Sequence, residues 1–276
     1  MAAERPALFG RQYTAQLCLS LWYKIKGSGG VMEVAIVSEK GMRPTMEDAH
    51  FVDSDFAGKG WLYAGIYDGH GGEAAAEYAS QNLSRIFRER LLSGLPPAKA
   101  FMESYQAVSD QMNELDSGTT SVDVLIREGK AYAANVGDAR AIVVGRKGVQ
   151  QLTVDHRLDN PDERQRVERM GGRIWYPYTY RGVQGIMPTR TLGDSYFKPV
   201  GIIATPSVGE YEITDDDFLL LAACDGLFDF MENEEIARLA REYISPESLL
   251  EALKHEILVN RLGTDNLTMV AVSLAL

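Results

Sequence analysis

Cysteine is almost missing from this chain. Cys18 and Cys224 are the only two in 276 residues, which rules out a disulfide framework and points to a reducing compartment. No apolar run approaches the length of a membrane span. Histidine is scarce too: His50, His70, His156 and His255 are all there are, and none pair at the spacing of a zinc site. Positive charge is in deficit, with 28 basic against 39 acidic residues and a net charge of −11. That balance argues against a general nucleic-acid or membrane binder and suits a protein that gathers carboxylates around cations. What remains is the composition of a soluble globular domain, 45% hydrophobic and 24% charged, with length enough for one large core or two small ones.

The most informative stretch is Trp61–Gly72, WLYAGIYDGHGG. Its apolar, aromatic first half reads as a buried strand. It breaks into Asp68-Gly69-His70-Gly71-Gly72, and an amphipathic helix pattern follows over Glu73–Leu92. A core strand thus delivers an acid and an imidazole to a glycine-rich turn. Asp68 can ligate a hard cation and His70 can move a proton near neutral pH. The bland alternative is a capped strand-to-helix turn with a surface His. Asp217–Cys224 repeats the arrangement, an apolar strand ending in Asp225-Gly226, and Asp229 lies four residues on. Gly263-Thr264-Asp265-Asn266 sets a third acid at the start of a last apolar strand, Leu267–Leu274.

The rest organises around these. Residues 1–30 are basic and form an N-terminal extension, read as an edge strand or a tail, or else as a weak targeting sequence, closed by a Gly-Ser-Gly-Gly hinge; residues 31–276 form the main domain. Val31–Ser38 is a strand. Gly41–His50 starts as a turn and enters a second strand, carrying Arg43, Glu47 and Asp48; an Arg there can grip phosphate oxygens with two parallel bonds, or the segment is simply a salt-bridged hairpin. Ala98–Leu115 is a second helix. Short strands from Ser121 to Thr153 form an antiparallel meander with Asp138 in a Gly-Asp turn. Asn160-Pro161 opens a helix over Asp162–Met170. Trp175–Pro206 is irregular and long for an idle connection, hence a flap facing substrate. Helices Asn233–Ile244 and Pro246–Leu262 precede the last strand.

If the strand ends carrying Asp68, Asp225 and Asp265 converge, three like charges crowd together and need protons or cations. Hard oxygen ligands favour Mg²⁺ or Mn²⁺ over Zn²⁺, and two such ions about 3.5–4 Å apart suit phosphoryl chemistry.

The ordered set Arg43-Pro44-Thr45-Met46-Glu47-Asp48-Ala49-His50, Asp68-Gly69-His70-Gly71-Gly72, Gly118-Thr119-Thr120, Asn135-Val136-Gly137-Asp138-Ala139-Arg140, Asp155-His156-Arg157, Gly171-Gly172, Thr189-Arg190-Thr191-Leu192-Gly193-Asp194, Asp225-Gly226-Leu227-Phe228-Asp229 and Asp265-Asn266 resembles the metal-dependent serine/threonine protein phosphatases of the type-2C (PPM) family. The resemblance runs from about Val31 to the C-terminus. It implies an α+β fold, a four-layer sandwich of two antiparallel β-sheets flanked on each side by α-helices. It implies Mn²⁺- or Mg²⁺-dependent hydrolysis of phosphoserine and phosphothreonine in proteins by a water activated by two ions, with no phosphoenzyme intermediate. By similarity, Asp68 bridges two ions and the Gly69 carbonyl binds one of them. Asp225 and Asp265 complete the other, and Glu47 acts through a bound water. Arg43 holds the phosphate and His70 protonates the leaving oxygen. Asp138 and Asp229 match positions that hold a weaker third ion in some members, and Asp48 is assigned a supporting place behind the ligands. Cys224 stands where Ser is common in the family. The implied partner is a phosphorylated protein substrate, with no nucleic acid and no membrane; the chain itself is read as a monomer in the cytoplasm, with a nuclear location left open. The alternative is a pseudophosphatase, the same fold used as a binding module.

Overall fold

The computed structural model describes residues 19–27, 30–243 and 245–274. The leading basic residues Arg5 and Arg11, together with Cys18 and Ile244, lie outside them.

Two antiparallel sheets stack face to face. One has six strands in the order β1 (Leu19–Gly27), β2 (Gly30–Glu39), β17 (Leu267–Ser273), β16 (Asp217–Ala223), β9 (Arg140–Gly145) and β10 (Val149–Gln151). The other has five: β15 (Ser207–Glu212), β8 (Lys130–Val136), β7 (Ser121–Arg127), β4 (Trp61–Tyr67) and β3 (Ala49–Phe56). Helices α1 (Ala74–Leu92) and α2 (Pro97–Gln111) cover the outer face of the five-stranded sheet. Short α4 (Asp225–Phe228), α5 (Asn233–Ala240) and α6 (Pro246–His255) cover the outer face of the six-stranded one. This is the expected four-layer α+β sandwich.

The layering explains why the core strands are largely apolar on both faces. Side chains alternate across a strand, and here both faces are covered, so both must be apolar. In β2, Val34 and Ile36 pack between the sheets while Ala35 and Val37 face the helices. In β4, Leu62, Ala64 and Ile66 take the inter-sheet side and Tyr63 and Tyr67 the helix side. In β16, Leu220 and Ala222 lie between the sheets and Leu219, Leu221 and Ala223 lie under the helices.

The expected helices are present with small shifts. Asn160 caps α3 (Pro161–Arg169), accepting from the Asp162 amide at 3.1 Å. The helix expected over Asn233–Ile244 ends at Ala240. The one expected over Pro246–Leu262 is α-helical only to His255 and then widens into a π-turn over Glu256–Asn260. Leu19–Gly27 is an edge strand paired in register with β2, one of the readings open for the leading residues.

The flap is more ordered than its sequence suggested. It contains a three-stranded sheet, β11 (Arg173–Trp175), β12 (Tyr178–Arg181) and β13 (Gln184–Ile186), on its own cluster of Leu158, Val167, Ile186, Phe197, Val200 and Ile202. A buried ion-pair knot fastens α3 to the chain after it. The Glu163 carboxylate accepts from Arg166 at 2.6 and 2.7 Å, from Arg190 at 2.7 Å and from the Thr189 hydroxyl at 2.6 Å. Burial alone would push this carboxyl up, but the bonds from Arg166, Arg190 and Thr189 outweigh it and hold it at about 2. The native value lies below the unfolded one of 4.5, so the stabilisation is complete above pH 4.5 and is lost as pH falls toward 2. Its full size is on the order of 3 kcal/mol. Urea titrations at pH 7 and pH 3.5 are expected to show Glu163→Gln less stable than wild type at pH 7, with the gap narrowing at pH 3.5. A gap that stays constant would contradict this.

Candidate active site and metal centre

The acids meet because of strand polarity. β4 ends at Tyr67 directly opposite Ala49, the first residue of β3. Asp68 therefore follows one strand where Glu47 and Asp48 precede its neighbour. In the other sheet, Ala223 at the end of β16 pairs with Met269 near the start of β17, so Asp225 and Asp265 flank the same end. Both ends open on one side of the sandwich.

Two glycines let these loops touch backbone to backbone. A side chain at Gly69 would bring its Cβ within 2.4 Å of the Glu47 carbonyl oxygen, and one at Gly226 within 2.1 Å of the Asn266 carbonyl oxygen. Such contacts do not occur in real proteins, so the glycine of each Asp-Gly pair is required for close approach of two acid-bearing segments.

The result is a cleft of about 460 Å³. Arg43, Glu47, Asp68, Gly69, His70, Asp138, Asp225 and Asp265 all line it. From the flap come Tyr178, Ile186, Met187 and Pro188, so the segment expected to face substrate does border the cleft. Asp229 stands outside the lining, 40% exposed. Asp48 lies beneath, 3% exposed. Asp48, Asp68 and the Cys224 thiol each present one ligand atom within 4.8 Å of the others.

Electrostatics favour a cation strongly. Burial, then Asp225, Asp48, Asp138 and Asp265, push the Asp68 carboxyl well above the usual carboxylate range. Burial, then Asp138, Asp229 and Asp265, do the same to Asp225. Burial lifts Asp48 to about 7 against the pull of Thr268 and the Cys224 thiol, and neither of its oxygens makes a hydrogen bond of good geometry. A buried carboxylate without partners is expensive, and a hard divalent ion removes the cost. The acids lining the cleft offer carboxylate oxygens, which fit Mg²⁺ or Mn²⁺. Burial, and then Asp48, Asp68 and Asp225, push the Cys224 thiol up as well.

Two arginines already serve some of these acids. Arg43, 56% exposed at the mouth, reaches the Asp265 carboxylate at 2.5 Å. Arg157 donates to Asp138 at 2.7 Å and to Asp229 at 2.6 Å, and sits 3.6 Å from Asp225. Glu47 accepts from the Thr45 hydroxyl at 2.8 Å and the Gly72 amide at 3.2 Å. Burial disfavours a charged His70, but the Asp194 carboxylate, 2.8 Å from Nε2, outweighs it and raises the imidazole above its ordinary value.

Three residues with clear parts in this geometry had no role read from the sequence. Asn266 ties the loops together, accepting from the Glu47 amide at 2.8 Å and donating to the Lys40 and Thr45 carbonyls at 2.8 and 3.1 Å. Arg157 and Asp194 are the others. Each sits in a quoted motif, but nothing local marks its partner.

The Protein phosphatase 2C family model matches residues 32–264. The chain belongs to the protein phosphatase 2C family. Its enzyme class is accordingly protein phosphatase. The chain is 34% identical over 251 residues to "Probable protein phosphatase 2C member 13, mitochondrial" of Oryza sativa subsp. japonica, covering 88% of this chain and 68% of that protein. It is 30% identical over 256 residues to "Protein phosphatase 2C homolog 1" of Saccharomyces cerevisiae, covering 84% and 89%. Its fold is similar to that of a serine-threonine phosphatase 2C from Toxoplasma gondii, with a TM-score of 0.74 at 21% identity over 93% of this chain and 99% of that one. Protein phosphatase 2C members are metal-dependent as a class, in agreement with the donor set of this cleft. Among the described residues no helix is long and apolar enough to cross a membrane.

Proposed function

We propose that this protein phosphatase 2C member hydrolyses phosphoserine and phosphothreonine in proteins, using two Mn²⁺ or Mg²⁺ ions and forming no phosphoenzyme. The observation that carries the proposal is the single cleft that gathers Asp68, Asp225, Asp265, Glu47 and the Gly69 carbonyl beside one arginine and one histidine. Asp68, the Gly69 carbonyl, Asp225 and Asp265 would hold the ions, and Glu47 would act through a bound water. When bound, the ions supply Lewis acidity and an activated water.

The remaining work belongs to side chains of the chain itself. Arg43 exchanges Asp265 for the phosphate oxygens, holding them for in-line attack and countering the charge that grows on them. His70 gives a proton to the serine or threonine oxygen as it leaves, a role usually worth about 10²–10⁴-fold. Asp48, buried behind Asp68, supports the ligands from the protein side. The flap residues Tyr178 and Ile186–Pro188 border the cleft where residues flanking the phosphate would lie.

The test is phosphate release from a phosphothreonine peptide and from an aryl phosphate. Release from both is expected with Mn²⁺ and none after chelation. Silence with Mn²⁺ present would replace this reading with the binding-module one.

The ion count gives a second check. Arg157 neutralises Asp138 and Asp229, the two acids implied for a weaker third ion. We therefore propose Arg157 as the resident cation there, with a third ion bound only when Arg157 swings out. Mn²⁺ titration followed by electron paramagnetic resonance is expected to count two ions in the wild type and a third in Arg157→Gln. Three ions of similar affinity in the wild type would contradict it.

A further inference from the structure

His70 is held by residues that lie outside the cleft lining, Gly118, Gly193 and Asp194. Gly69–His70 forms a two-residue strand, β5, and Gly118–Thr119 forms another, β6. With Leu192–Gly193, β14, they make a three-stranded ribbon in which β6 is central. The register aligns His70 with Gly118 and Gly118 with Gly193. Asp194 follows Gly193 directly, and its carboxylate crosses the row to reach His70.

The crossing is possible only over Gly118. A Cβ there would lie 1.9 Å from Asp194 Oδ2 and 2.3 Å from its Cγ. The missing side chain is the slot that the carboxylate occupies. Asp194 also adopts a left-handed backbone, with φ of 50°, a conformation that costs a non-glycine residue about 1 kcal/mol or more. Its side chain is 8% exposed, and Oδ2 lies 2.8 Å from His70 Nε2. A strained backbone, a glycine slot and a ribbon three residues wide all serve this one contact.

We infer that Asp194 is the positioning residue for His70, holding Nε2–H so that Nδ1 is the nitrogen that delivers the proton to the leaving oxygen. The chemistry follows from what each group can do. An ionised carboxylate only accepts hydrogen bonds, so Nε2 must carry hydrogen. During hydrolysis a water oxygen–phosphorus bond forms and the phosphorus–oxygen bond to serine or threonine breaks. The Nδ1 proton moves to the departing oxygen, leaving neutral imidazole with its Nε2–H still on Asp194. Asp194 never takes the proton; it fixes ring orientation and tautomer, as carboxylates do behind many working imidazoles.

The inference rests on His70 being the general acid, so the experiment separates the two. His70→Ala, Asp194→Asn and the double variant are compared on a phosphothreonine peptide, whose alkoxide needs a proton, and an aryl phosphate, whose phenolate needs little. His70→Ala is expected to lose far more activity on the peptide. Asp194→Asn is expected to lower peptide kcat by about 10–100-fold, with KM nearly unchanged and a much smaller loss on the aryl phosphate. The double variant is expected to match His70→Ala alone. Equal losses on both substrates for His70→Ala would overturn the acid role itself. A selective His70→Ala with an unselective or fully additive Asp194→Asn would overturn only the positioning role. Should Asp194→Asn fail to fold, ¹⁵N nuclear magnetic resonance of the wild type with Mg²⁺ decides: hydrogen on Nε2 is expected at high pH, and a bare Nε2 overturns the inference.

Discussion

Asp225→Asn is expected to cut turnover of a phosphothreonine peptide by about 10³-fold, equivalent to about 4 kcal/mol of lost transition-state stabilisation. It is expected at the same time to leave the metal-free fold as stable as before, or more so. The two effects have one cause. Asp225 sits at the first turn of α4 among Asp138, Asp229 and Asp265, and its carboxyl is pushed up by burial and by those acids. Without a divalent ion, its charge is a liability that Arg157, 3.6 Å away, and the more distant Arg43 relieve in part. An isosteric amide removes the repulsion and the ligand together. The measurements are calorimetric Mn²⁺ binding, peptide kcat and a thermal melt in chelator. Full activity in the variant would take Asp225 out of the site. A sharp drop in the chelated melting temperature would mean that the charge is structural.

Asp123→Ala is expected to lower stability by about 3–5 kcal/mol, with any loss of peptide turnover following the folded fraction. Asp123 is wholly buried between the five-stranded sheet and the helices α1 and α2. Burial pushes its carboxyl up, and four hydroxyl donors pull it back. Tyr63 and Tyr67 bond Oδ1 at 2.6 and 2.7 Å, and Tyr105 and Ser121 bond Oδ2 at 2.6 and 2.5 Å. Removing the carboxylate takes the acceptor from the buried Tyr63 and Tyr67 hydroxyls, leaves Tyr105 the Ala134 carbonyl at 3.0 Å and Ser121 the Tyr105 hydroxyl at 3.2 Å, and opens a cavity. The space is already specific. Gly65 lies opposite Asp123 in register, and a methyl there would come within 2.3 Å of the Tyr67 hydroxyl and 2.4 Å of Asp123 Oδ1. Urea unfolding reads the effect, and a midpoint equal to that of wild type would refute the network's importance.

Much of the architecture is legible in local pattern. Trp61–Tyr67 and Asp217–Ala223 read as buried strands because sheets covered on both faces favour apolar residues on both sides of a strand. Asn160-Pro161 marks the start of α3 because capping chemistry is local. The acids at strand ends were visible for the same reason, since the break from apolar run to Asp-Gly needs no knowledge of the partner strand. The flap was harder. Its three short strands and its cluster around Phe197 depend on contacts between residues that are individually unremarkable in spacing. The tight ribbon of β5, β6 and β14 was harder still, because two-residue strands carry no periodicity.

Taken alone, the order of residues determined which segments are strands and helices and which side chains could bind a hard cation or move a proton, because hydrophobic period and donor chemistry are properties of neighbours along the chain. Only the tertiary structure decided which of those side chains share a charge. Asp194 meets His70 across 124 residues, Arg157 meets Asp229 across 72, and Asn266 joins Glu47 across 219. Pairings of that range are set by sheet register and by the gaps that glycines leave, and neither is written in any short stretch of sequence.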